Sequence, residues 1–242
     1  FEDALLAKLV GKKQVPLITT IFEFINYEDD GTKFANLLAI LYIQSNIMQV
    51  ITLIAELTAS YQPRPPSLIS YLGSSAEMLV DRCLYRLKQV HRKFNFTRFT
   101  IVDELEEFQI AMFEMIYTII QKQRGLAEMF LTMKSSTSDE NSEGKNLKIF
   151  NTFRSNLIEE GGFVHIALDK LLRLPVLIPH EAKLIYAVLN VFQAIFESQE
   201  HPKITEALRD DFQFWNKLQE LSLMFLTQYQ EADKHLYVVR CI

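Results

Sequence analysis

Residues 99–131 read FTIVDELEEFQIAMFEMIYTIIQKQRGLAEMFL. A long apolar helical pattern over Phe99–Lys122 is followed at once by a short one over Gly125–Leu131 that closes on Leu. The phrase occurs twice more. Ile47–Tyr61 leads into Ser67–Gly73 (SLISYLG), and His180–Gln199 leads into Lys203–Leu208 (KITEAL). A long helix joined to a short one cannot bury its apolar face alone, so such copies must stack on their neighbours. The copies are unevenly spaced, which predicts an irregular repeat. The expected fold is therefore all-α: an irregular HEAT/armadillo-like α-solenoid of stacked antiparallel helices, one solenoid segment over 1–242.

Other stretches carry the same spacing. Glu2–Val10 and Val15–Tyr27 are expected helices, the second with Ile18, Ile21, Phe22 and Ile25 at i, i+3, i+4, i+7. Thr32 is placed to cap a helix carrying Phe34, Leu37, Leu38 and Leu41. Ser45 or Asn46 is then expected to open the next, with Ile47, Val50, Ile51, Ile54 and Leu57 inward. Pro63-Arg64-Pro65-Pro66 breaks the chain. Ala76–Lys93 presents Leu79, Val80, Cys83, Leu84 and Leu87 on one face. Gly125 is expected to end the helix before it. Residues 134–146 (KSSTSDENSEGKN) contain no apolar side chain and read as a mobile loop. Leu147–Ile158, Phe163–Leu174 and Phe212–Gln230 complete the helices, and only Leu236–Val239 has a strand-like pattern.

Composition agrees. Apolar residues make up 49% of 242, with 18 Phe and 9 Tyr, enough for a substantial core. Seven Gly and seven Pro are few for a fold built on tight turns. A net charge of −5 does not mark the chain as a nucleic-acid binder. Cys83 and Cys241 give no disulfide framework. The most apolar run, Ile110–Ile120, is shorter than the roughly 20 residues a bilayer span needs, so no direct membrane insertion is expected. The chain opens at Phe1 without Met, as a fragment of a much longer protein would.

No catalytic constellation stands out. There is no Gly-rich phosphate loop, no H-E-x-x-H and no G-x-S-x-G. The five histidines are scattered, and no C-x-x-C is present. Cys83 lies on an apolar helix face and reads as core, not as a nucleophile. Asp103, Glu107 and Glu114 nearly share a face, but without Glu-x-x-His pairs they read as acids near a helix start. No enzyme activity, metal or cofactor is therefore expected.

Two features point to binding. From Arg82 to Arg98 the chain carries Arg82, Arg86, Lys88, Arg92, Lys93 and Arg98 with no acid, interleaved with Tyr85, Phe94, Phe96 and Phe99. Basic and aromatic side chains together can hold single-stranded nucleic acid. A solvated helix face is the plainer reading, and a protein contact through Arg86, Arg92 and Lys93 the next. The second feature is Trp215. It reads either as a groove anchor for a partner or as core, because Phe212, Trp215, Leu218, Leu221 and Phe225 form one helical stripe. Core is the preferred reading.

The order of the phrases resembles a family. Ile69–Leu87 (ISYLGSSAEMLVDRCLYRL) has a short Leu-ended helix, a Gly turn and a helix with Asp-Arg in its middle. Ile119–Leu131 (IIQKQRGLAEMFL) looks like a T-Q-P-G-L-x-E-L-F-L phrase, departing at Lys122 and Arg124. Leu184–Leu218, where LIYAVLNVFQAIFES leads to LRDDFQFWNKL, resembles an A-F-L-x-A-L-W … F-W-x-x-L phrase. Over about residues 15–225 this order is similar to the middle of the large inner-ring scaffold nucleoporins, the 188-kilodalton type more than its 205/192-kilodalton sister. The resemblance implies a non-enzymatic scaffold of the nuclear pore inner ring at the nuclear envelope. It implies binding to a coiled-coil inner-ring nucleoporin and to linker nucleoporins, in support of nucleocytoplasmic transport. No partner-binding residue carries over. The absence of any Phe-Gly dipeptide fits a scaffold and not a permeability barrier. The alternatives are a karyopherin-like or adaptor solenoid that carries cargo, and a helical-repeat protein associated with nucleic acid.

Overall fold

The computed structural model describes residues 34–60, 67–73, 75–89, 99–133, 162–173 and 181–227. The chain divides into two compact units, Phe1–Phe130 and Leu131–Ile242. Every regular element among the described residues is an α-helix, and no strand occurs among them. The all-α, stacked-helix class expected from the phrase pattern is the class observed. Glu2–Val10, Val15–Tyr27, Pro63–Pro66, residues 134–146, Leu147–Ile158 and Leu236–Val239 lie outside the described residues.

Unit 1 begins with α1 (Phe34–Ser60). Its 27 residues contain no Gly or Pro, so nothing interrupts the backbone ladder. The expected break at Ser45 or Asn46 does not occur. Ser45 Oγ donates to Leu41 O at 2.9 Å, and Asn46 Nδ2 donates to Tyr42 O at 2.8 Å. Both side chains thus bond back to carbonyls one turn earlier in a continuous helix, where a cap would have bonded forward.

Next come α2 (Leu68–Leu72), α3 (Ser75–Gln89), α4 (Phe99–Lys122) and α5 (Arg124–Thr132). Gly73 closes α2 at φ +53°, a conformation that disfavours any side chain, with its N–H on Ile69 O at 2.9 Å. The face expected on α3 is buried as read: Leu79, Val80, Cys83, Leu84 and Leu87, joined by Ala76. Helix α4 is the centre of the unit. Phe108, Met112, Phe113, Met115, Ile116 and Ile119 are all buried, and its main neighbour is α1.

Gly125 does not end α4. It lies inside α5, with Ile69 about a van der Waals contact from where its Cβ would stand. The single non-helical residue between the two helices is Gln123. Its N–H still donates to Ile119 O at 2.8 Å, and its carbonyl accepts from Ala127 N at 2.8 Å. The chain therefore changes direction without abandoning its backbone bonds.

Unit 2 holds α6 (Phe163–Arg173), α7 (Glu181–Ser198), α8 (Pro202–Asp210) and α9 (Phe212–Thr227). Helix α7 has a broad apolar face, with Leu184, Ile185, Val188, Leu189, Val191, Phe192 and Ile195 buried, opposite a narrow polar stripe of Lys183, Tyr186, Asn190, Gln193 and Glu197. It ends at Gln199, held at φ +51°. Pro202 takes the first turn of α8, where its missing N–H costs nothing.

Candidate functional site

Three local arrangements stand out, and the first is a buried amide. Gln123 is 4% exposed. Its Nε2 donates to Ala55 O at 2.9 Å, near the end of α1, and its Oε1 accepts from Leu68 N at 3.0 Å, at the start of α2. One side chain at the end of α4 thereby joins three helices. The contact sets the C-terminal end of α4 beside that of α1, so the two run in the same sense, as the long helices of successive repeats do. It also satisfies one of the N-terminal N–H groups that α2 cannot satisfy internally. Sequence reading missed Gln123. The only available signal was a polar residue squeezed between two apolar helices.

The second arrangement is the α8–α9 corner. Asp211 Oδ1 accepts from Phe214 N at 3.0 Å and so caps α9. Trp215 Nε1 donates to Arg209 O at 2.9 Å, and its ring meets Phe214 edge-on at 5.3 Å and 75°. The indole is thus held in place, yet 46% of Trp215 is exposed and 74% of its neighbour Phe212. Of the expected core stripe, Leu221 is buried and Leu218 half-buried, Phe212 and Trp215 are exposed, and the side chain of Phe225 lies outside the described residues. The reading fails in the first two turns, where Phe214 and Lys217 take the inward places expected of Phe212 and Trp215. The buried set is Phe214, Lys217 and Leu221. A lysine in the core phase made it the less apolar choice on paper. Its stem is buried while Nζ reaches Glu220 Oε2 at 3.3 Å, a side chain half in solvent.

Replacing Asp211 by Ala removes the cap of α9 and slackens the corner that fixes Trp215. A loss of about 1 kcal/mol is expected, read by urea denaturation of D211A beside the parent protein.

The third is an apolar stripe along α1. Ile43, Val50, Leu53 and Leu57 are exposed, with Leu53 the most open at 57%, and Tyr42 lies beside them. Val50 and Leu57 were expected inward. The inward set is instead Leu41, Gln44, Met48, Ile51, Ile54 and Ala55. The helix is apolar on two sides, and periodicity alone does not say which side packs. By length and composition Ala39–Leu57 could also cross a membrane, which the sequence reading, centred on Ile110–Ile120, overlooked. One side of it nevertheless packs on α4 as a core helix does, with Gln44 buried within that side.

The basic run does not assemble into a site within the described residues. Arg82 is exposed on α3, Arg86 and Lys88 are half-buried, and Arg86 has a partner of its own. Arg92, Lys93 and Arg98 lie outside the described residues. No group of three His, Cys, Asp or Glu side chains comes together at metal-binding distance among the described residues. Glu107 and Glu114 are exposed on α4 and engaged in other contacts.

Cys83 is fully buried on α3. Burial pushes its thiol from an ordinary value of 9.0 up to about 12, so the nucleophilic thiolate is nearly absent at neutral pH. The thiol should resist iodoacetamide in the folded protein and react once urea unfolds it. Since the folded value lies above the unfolded one, the stabilising contribution is complete below pH 9 and is lost as pH rises toward 12. The slope is at most about 1.4 kcal/mol per pH unit. The excess alkaline loss of the parent chain over a Cys83→Val variant measures it.

These arrangements define a helical-repeat protein whose described features are structural: a buried amide clamp and exposed apolar faces suited to contact with other helices. Residues 22–134 match the family model described as Nucleoporin Nup188, N-terminal subdomain III. The match covers a little under half of the chain and contains α1 to α5 with the Gln123 clamp. No curated protein and no solved structure matches the chain. The ordered phrases at Ile69–Leu87 and Ile119–Leu131 fall inside the matched stretch, and the phrase at Leu184–Leu218 falls outside it. The matched model is of an N-terminal subdomain and gives no support to a place in the middle of such a protein.

Proposed function

We propose that the chain is a segment of a large scaffold nucleoporin of the 188-kilodalton type, built into the inner ring of the nuclear pore. It acts there without catalysis, by holding other nucleoporins through helical or extended segments, and so supports transport between nucleus and cytoplasm. The observation that carries this reading is the match over residues 22–134, which coincides with one packed set of helices. The exposed apolar faces of α1 and α9 are of the kind a scaffold uses.

The test is to tag the parent protein in its own cells and ask where it sits and what travels with it. A rim at the nuclear envelope and co-purification of inner-ring nucleoporins support the proposal. A diffuse cytosolic pool that co-purifies with a small GTPase and cargo, or with RNA in a salt-sensitive way, removes it.

A further inference from the structure

We draw no further inference here: the strongest candidate, the exposed Phe212–Trp215 patch at the α8–α9 corner, is an apolar surface, and nothing in the structure shows what covers it.

Discussion

Gln123→Ala should cost unit 1 about 3 kcal/mol, the sum of two lost buried hydrogen bonds and the space the side chain leaves. Total stabilities of domains run to about 5–15 kcal/mol, so this is a large share. The reason lies in where the two bonds go. Leu68 N–H belongs to the first turn of α2, where no helical carbonyl can accept it, and Gln123 Oε1 is its partner at 3.0 Å. Ala55 O receives the other bond at 2.9 Å from an amide that is itself buried. Two further variants separate the contributions. Gln123→Met keeps the volume and loses both bonds, so it measures the polar part. Gln123→Glu keeps the shape but sets a carboxylate oxygen against Ala55 O. Its carboxyl is stable in that site only when protonated, so this variant should recover stability as pH falls. Guanidinium titrations followed by circular dichroism at pH 7 and pH 4.5 check all three. A Gln123→Met variant as stable as the parent would mean that the clamp is ornamental.

Phe214→Ala should cost unit 2 about 3–5 kcal/mol, the usual range for emptying a buried aromatic site. Phe214 is 2% exposed and stands at the meeting of three rings. Its centroid lies 5.1 Å from that of Phe192 and 6.4 Å from that of Phe196, both on α7, while Trp215 leans on it from outside. The ring joins α9 to α7, and its removal leaves a cavity that backbone relaxation fills only in part. Phe214→Leu, which retains most of the volume, should cost less than half as much. Phe212→Ala, at an exposed position one residue past the cap, should change stability by under about 0.5 kcal/mol. The contrast between Phe212 and Phe214 tests the phase of α9 by urea denaturation. Equal costs would restore the stripe first read from the sequence.

Where sequence reading succeeded, period and composition spoke together. The face of α3 from Leu79 to Leu87 was legible because its other side is charged. The class of fold was legible because three long–short phrases cannot be buried singly. Where it failed, the chain offered two solutions of similar quality. Helix α1 carries apolar residues on both sides, so Val50 and Leu57 looked as inward as Ile51 and Ile54. The first turns of helix α9 were misphased by a lysine whose stem packs in the core while its charge reaches out, whereas Leu221 is buried as read. Ser45 and Asn46 were read as a helix start because their side chains cap well, but they bond back to Leu41 and Tyr42 equally well. Gly125 was read as a stop because glycine often stops helices, whereas here it admits Ile69 close to α5. Of the candidate contact residues, Trp215 was named, with core preferred over the groove-anchor reading, and it is 46% exposed. The amide of Gln123 and the stripe on α1 were not found at all, because each depends on which distant helix arrives beside it.

The Trp215 corner has an experimental consequence. Trp215 is the only tryptophan in the chain, and it lies in unit 2. Intrinsic indole emission therefore watches that unit and is blind to unit 1. Its ring rests on Phe214, and its N–H is tied to a backbone carbonyl at the end of α8. Loosening of the α8–α9 corner should shift the emission to the red well before helix content changes. Far-UV ellipticity, in contrast, sums over both units. Recording the two signals in one melt gives the chain a built-in way to tell which half lets go first, without a label and without a mutation.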